Sequence, residues 1–158
     1  MRKFNCFNRT KKNVLELKQA IITLRAINAS DFRFLFNLLK QRDDSANISH
    51  KKMPSYNDHI KFVKSKPYTK WYIIQKSKVK IGSIYLSKND EIGIFINEKY
   101  HGKGFANDAL KLLINKNPRS RYLANVNPKN LRSAKFFKKN NFKLIQHTYE
   151  LEKELNNF

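Results

Sequence analysis

The chain is short of the residues that build stapled or metal-centred frameworks. Its 158 residues hold a single cysteine, Cys6, with only four glycines, four prolines and one tryptophan. One thiol cannot close an internal disulfide or supply half of a zinc site; this excludes a disulfide-dense secreted scaffold and a cysteine-rich metal module, and no metal centre is expected. Long apolar runs are missing too. Stretches such as Trp71 to Ile74 and Ile92 to Ile96 fall far short of the ~20 residues that cross a bilayer, so no membrane span is expected. Polar and charged positions interrupt everything up to Leu15, and no apolar signal-peptide core follows Arg2 and Lys3, so the chain reads as cytoplasmic. Acidic residues are scarce as well: 12 Asp+Glu stand against 33 Lys+Arg, a formal net charge of +21.

What is present suffices for a core. At 41% hydrophobic and 13% aromatic residues the charge does not make the chain a disordered tail, and its length fits one domain. A strongly positive surface attracts polyanions, whether nucleic acid, anionic lipid or a multiply phosphorylated small molecule. Lys, Asn, Ile and Phe are abundant together, as a biased nucleotide composition of the gene would make them, so charge alone does not choose among these partners. Nucleic-acid binding is not favoured, since neither an RNA-stacking signature nor helix-turn-helix spacing is found.

Residues 1–20 read as a basic N-terminal extension, and 21–158 as a single domain. Ile21 to Ala26 is a β-favouring run, and Asn28 to Ser30 supplies turn and cap chemistry. Phe32, Leu35, Phe36 and Leu39 recur at i, i+3, i+4 and i+7, which predicts a helix to about Lys40. Gln41 to Pro54 has no period and reads as an ordered loop. Ser55 and Asp58, three apart, predict a capped second helix to about Lys64, closed by Lys66-Pro67. Trp71 to Ile74 and Val79 to Leu86 predict a hairpin, and a turn at Lys88 to Asp90 leads to a third meander strand, Glu91 to Ile96. A helix follows His101 to Ala106 and stops at Pro118; Tyr122 to Val126 reads as a fifth strand. A fourth helix begins at the N-cap Asn130 and ends at Asn140-Asn141, suited to a left-handed C-cap. Phe142 to Ile145 and Thr148 to Leu151 read as last strands. The order predicts one α+β or mixed α/β sheet domain.

The turn His101-Gly102-Lys103-Gly104-Phe105-Ala106 carries the chemistry. A strand that ends in Gly-x-Gly and opens a helix presents main-chain N–H groups with no intrahelical partner at the helix's positive end, a site for phosphate. Gly102 and Gly104 lack the Cβ atoms that would block approach, and Lys103 adds charge. The turn lacks the lysine-then-hydroxyl ending of a P-loop and follows a meander instead of opening a βαβ unit; nucleotide hydrolysis and dinucleotide binding are therefore disfavoured.

In element order and in two motifs the chain resembles the GNAT superfamily of acyl-CoA-dependent N-acetyltransferases, over roughly residues 21–152. The first motif is Arg or Gln, two residues, Gly, any residue, then Gly or Ala, which falls here on His101 to Ala106 with His101 in the Arg/Gln position. The second is a strand, Asn-x-x-Asn, a small residue, an aromatic pair and a Gly-Phe end; here these are Tyr122 to Val126, Asn127, Asn130, Ser133, Phe136-Phe137 and Asn141-Phe142. The resemblance implies a mixed, mostly antiparallel sheet with strands four and five splayed, flanked by about four helices. Acetyl-CoA would lie between those strands, against backbone near Phe95 and Ile96, its pyrophosphate on His101 to Ala106 and its arm near Asn127, Asn130 and Phe137.

The same resemblance implies direct attack of an amine on the thioester, with Glu91 as the general-base candidate. Phe137 stands where many relatives carry a proton-donating tyrosine, which leaves the general acid unassigned. The stretch Gln41 to Asp44 and Ser55 to His59 is similar to relatives that acetylate amino groups on nucleotide-linked sugars, with Arg42, His50, Tyr56 and His59 on the acceptor side and Lys51 and Lys52 as further diphosphate contacts. The acceptor is thus expected to be a small-molecule amine, a nucleotide-linked amino sugar first. A protein amine is the second reading, and a basic nucleic-acid binder or a CoA binder without turnover stand as readings of another class. Either a monomer or a homodimer is compatible with the sequence.

Overall fold

A computed structural model describes residues 22–43 and 52–151, so the extension 1–20, His50 and Lys51 lie outside the described residues. Four antiparallel strands, β1 (Ile22–Ala26), β2 (Lys70–Lys76), β3 (Val79–Leu86) and β4 (Ile92–Ile96), form a sheet in the order β1-β2-β3-β4. Two helices, α1 (Phe32–Lys40) and α2 (Tyr56–Lys64), separate β1 from β2; α3 (Phe105–Lys116) and α4 (Leu131–Lys139) follow β4. Short 3-10 turns at Ala29–Asp31 and Glu98–Tyr100 lead into α1 and toward α3.

Local chemistry explains most boundaries. Asn28 caps the first 3-10 turn, and Ser55 Oγ accepts from Asp58 N–H at 3.1 Å to start α2. The β2–β3 connection is two residues, Ser77 and Lys78, both at positive φ, which matches the right-handed twist of the hairpin. Asn130 Oδ1 accepts from Ser133 N–H at 3.0 Å to start α4, and Asn141 at φ +65° turns the chain out of it, as the sequence predicts.

Period-2 alternation gives the sheet two dry faces. Tyr72, Ile74, Ile84, Leu86 and Ile92 pack on Phe105, Ala109, Leu110 and Leu113 of α3. On the other face, Ile73 packs with Leu35 of α1 and Val63 of α2, flanked by Trp71. Each such wholly buried aliphatic side chain contributes roughly 1.5–3 kcal/mol.

Two expectations at the C-terminal side fail. Tyr122 to Val126 forms one rung and no continuous strand, and Phe142 to Ile145 with Thr148 to Leu151 form none. β-favouring side chains make a strand only where an unpaired edge receives them. Leu144, Ile145, Tyr149 and Leu151 are instead largely exposed, with no described strand beside them.

Under the entry to α1 lies a wholly buried carboxylate. Asp31 accepts from Arg25 Nη1 at 3.0 Å and Nη2 at 2.7 Å and from Asn28 N–H at 2.8 Å, with Lys80 Nζ at 2.7 Å. Burial pushes its pKa up, but the bonds from Arg25, Lys80 and Asn28 outweigh burial and hold it below the usual carboxylate range. Asp31→Asn is therefore expected to lower unfolding stability by about 2 kcal/mol at neutral pH, read by denaturant titration. A lowered folded pKa contributes stability above the unfolded value of about 3.9 and loses it as pH falls through the folded value. The gap between wild type and variant should close across that acid window; a gap independent of pH would refute the assignment.

Candidate active site

The edge of the sheet opens beside β4. Asn97 N–H bonds Ile81 O at 2.8 Å and Ser87 N–H bonds Glu91 O at 2.9 Å, so the antiparallel register turns the main chain of Gly93 and Phe95 toward β3. Ile92, Ile94 and Ile96 turn theirs the other way, toward Tyr122 to Val126. There Ile92 N–H meets Leu123 O at 2.8 Å and Leu123 N–H meets Asp90 O at 2.9 Å. This parallel rung is the last one between the two backbones among the described residues. Past it they part, and the main-chain polar groups of Ile94 and the N–H of Ile96 face a wedge. An extended ligand with amide groups of its own suits such an edge, because it supplies the hydrogen bonds that a neighbouring strand would.

The glycine turn stands at the open end of the wedge. Gly102 and Gly104 sit at φ +72° and +82°, a left-handed backbone that glycine adopts without strain, and a Cβ at either would meet nothing within 4 Å. The turn is thus bare on the outside, and Gly104 is the N-cap of α3, whose 12 residues place their positive end there. Lys103 Nζ donates to Lys99 O at 3.1 Å and so stays beside the turn. His101 closes the inner side: one ring nitrogen, Nε2, lies 2.6 Å from Ile96 O and the other, Nδ1, 2.8 Å from Arg132 Nη1. A guanidinium only donates, so Nδ1 accepts and Nε2–H donates to the carbonyl. His101 thereby ties β4 to α4 in the position where the motif has Arg or Gln.

On the face away from α3, Glu91 stands immediately before β4 with its carboxylate fixed at both oxygens. Oε1 accepts from Asn125 Nδ2 at 2.9 Å and Oε2 from Ser87 Oγ at 3.2 Å. The brace spans the closed end of the wedge, from β4 to the segment after Leu123. Above it Phe62, Tyr68, Trp71 and Tyr85 pack edge to face, except that Tyr68 and Tyr85 stack with centroids 3.7 Å apart. A Cβ at Gly93 would fall on the ring and hydroxyl of Tyr85, so glycine there is what lets that phenol lie across β4. Arg42, just past α1, lays its guanidinium 4.2 Å over the Phe95 ring, and burial pulls its pKa down.

The structure thus brings Glu91, Phe95, Ile96, His101, Gly102, Lys103, Gly104 and Arg42 around one wedge. Phe95 enters it differently from expectation: its main chain is committed to β3 and its ring to Arg42, so Ile94 takes its place on the wedge edge. Phe105 is a core side chain under α3, and only its backbone belongs to the turn, with Ala106 half-buried behind it. Asn127 and Asn130 direct Oδ1 into their own turn and cap, toward Lys129 N–H at 2.9 Å and Ser133 N–H at 3.0 Å. Phe137 is buried against Phe136 and Phe142.

Tyr56 and His59 instead join the α1–α2 contact. Tyr56 lies 5.1 Å from the Phe36 ring under Arg33, and His59 is 5% exposed at 5.5 Å from Phe36, where burial lowers its pKa. Sequence reasoning missed Tyr68, Tyr85, Gly93, Ser87 and Asn125. The one available signal was Gly93 interrupting an isoleucine run opposite Tyr85 in the hairpin.

Comparison with known proteins points to one fold. A family model described as an acetyltransferase (GNAT) domain matches residues 22–143. Among solved structures, a domain from Methanocaldococcus jannaschii DSM 2661 superposes with a TM-score of 0.66 at 22% identity, over 82% of this chain and 93% of that one. RimL, a ribosomal L7/L12 alpha-N-protein acetyltransferase in complex with coenzyme A, gives 0.66 at 19% identity over 79% and 81% of the two chains. A chimera of the spermidine N-acetyltransferase SpeG from Vibrio cholerae and hSSAT gives 0.60 at 20% identity over 75% and 78%. No curated protein matches at a significant level.

Proposed function

The chain belongs to the GNAT acetyltransferase family, and on that premise we propose that it carries an acetyl group from acetyl-CoA to the primary amine of a small molecule, a nucleotide-linked amino sugar first among them. One observation carries the reading: the wedge beside β4 ends in a bare glycine turn at one end and in a braced carboxylate at the other. The residues fit the cofactor. Ile94 and Ile96 offer amide partners to its arm, and the turn from His101 to Ala106 offers helix-start N–H groups to its pyrophosphate.

Acetyl-CoA, when bound, supplies a thioester carbonyl open to attack by an amine. Everything else falls to the chain. An acceptor ammonium must lose a proton before it can attack, and Glu91 is the fixed carboxylate at the closed end of the wedge that takes it. Phe137 has no proton to give, and no other group is assigned as general acid. The sugar reading draws its support from the guanidinium of Arg42 beside Phe95 and from the net charge of +21, which both favour an acceptor bearing phosphate. Transfer to a protein amine is the second reading, supported by the likeness to RimL.

Calorimetric titration with acetyl-CoA at about 150 mM salt tests the cofactor half, since nonspecific charge attraction is screened there. One-to-one micromolar binding that persists at higher salt is expected. Binding that fades with salt and is matched by any polyanion would replace the enzyme with a polyanion binder. Thiol release with UDP-glucosamine, glucosamine 1-phosphate, spermidine and a peptide with a free N-terminus then ranks acceptors. Preference for spermidine or for the peptide would overturn the sugar reading.

A further inference from the structure

We propose that Tyr85 is a second anchor for the acceptor amine, its phenolic oxygen seating the nitrogen over Gly93 opposite Glu91. The inference rests on the transferase reading above and names a residue that neither motif contains. Gly93 is the first residue of β4 past the last rung to Leu123, so it stands where the wedge begins. The Tyr85 hydroxyl covers that residue from the face opposite α3, in space that any Cβ at 93 would occupy. Glu91 lies two residues back on the same face of the strand. Alternate residues of a strand are about 6.7 Å apart, so the Glu91 and Tyr85 side chains are neighbours on that face, near enough for the Glu91 charge to act on the Tyr85 hydroxyl. An alkylammonium has three N–H donors; one goes to the Glu91 carboxylate and one to the Tyr85 oxygen, which has two lone pairs to offer.

The surroundings keep Tyr85 suited to this work. Burial raises its pKa, and the Glu91 charge raises it further against the opposing effects of Tyr68 and Arg42. Tyr68, stacked beside it, is likewise held neutral, raised by burial first and by the neighbouring Tyr85 second. Tyr85 therefore stays a neutral phenol whose oxygen serves as acceptor. Stacking on Tyr68 and edge contact with Trp71, at 6.4 Å between centroids, hold the ring in place.

The test uses methylamine, which carries the amine and nothing else, with the full chain and three variants: Tyr85→Phe, Tyr68→Phe and Glu91→Gln. Tyr68→Phe removes the neighbouring hydroxyl and keeps both the stacked ring and the Tyr85 oxygen, so it controls for packing. Two readouts are taken: binding of carbon-13 methylammonium to the cofactor-free protein by NMR, and KM for methylamine in thiol release at saturating acetyl-CoA. Tyr85→Phe should weaken both by about tenfold, as loss of one hydrogen bond to a charged group does, with acetyl-CoA affinity and thermal midpoint kept. Tyr68→Phe should change either by less than about twofold. Equal effects of the two substitutions, or none from Tyr85→Phe, would overturn the seat. So would a wild type that binds acetyl-CoA and does not accelerate transfer to methylamine. Failure of the wild type to bind acetyl-CoA removes the transferase reading itself, a different result from either.

Discussion

Gly104→Trp is expected to abolish measurable acetyl-CoA binding and to leave the fold intact. The residue sits at φ +82°, caps the start of α3 and faces open space, so an indole there projects into the volume that the cofactor's pyrophosphate would use. Two hydrogen bonds from helix-start N–H groups to a charged phosphate are worth about 3–6 kcal/mol, and their loss raises Kd by a hundredfold or more. The left-handed backbone costs a tryptophan about 1–2 kcal/mol, so the thermal midpoint should fall by several degrees without loss of cooperativity. Calorimetry beside a thermal melt separates the two effects. A folded variant that binds acetyl-CoA normally would remove the turn from the site.

The second large effect is expected at Glu91. Glu91→Gln keeps the volume and can still meet Asn125 and Ser87, but it cannot take up a proton. Transfer should fall on the order of a thousandfold in kcat, with acetyl-CoA affinity unchanged. The rate should then follow the supply of free amine, rising with pH where the wild type has levelled off. An unchanged pH–rate profile would exclude Glu91 as the base. Because the wedge edge is built from Ile94 and Ile96, cofactor affinity is the control that distinguishes lost chemistry from a lost site.

The part of this molecule legible in the sequence is the part dictated by neighbours along the chain. The isoleucine alternation of β4, the capping pair Ser55–Asp58, the N-cap Asn130 and the glycine turn are all short-range signals, and each element stands where they place it. The misreadings share a cause. Tyr122 to Val126 has the composition of a strand, yet after Leu123 its partner edge turns away, and Phe142 to Leu151 has no described edge to join. Pairing is a property of two segments, and the periodicity of one is silent about it. The candidate site divides in the same way. Turn residues stand out by position in a motif and Glu91 by its place at the head of the strand before the turn, whereas Tyr85, 8 residues before Gly93, gains its meaning only from cross-strand register. The resemblance of the stretch Ser55 to His59 to sugar-acetylating relatives places Tyr56 and His59 on the acceptor side, whereas in the fold the phenyl ring of Phe36 draws both into the helix contact.

Trp71 is the chain's one tryptophan, and its indole touches Phe62, Tyr68 and Tyr85 while Nε1–H is held by Ser83 Oγ at 3.0 Å. Its emission therefore comes from a single place, the floor beside Gly93, with two tyrosines within energy-transfer range of it. An occupant arriving over that floor changes the indole's surroundings, whereas one confined to the glycine turn does not. The unlabelled protein thus carries an optical probe of the side proposed for the acceptor, which lets amines be screened for binding before any of them has been shown to react.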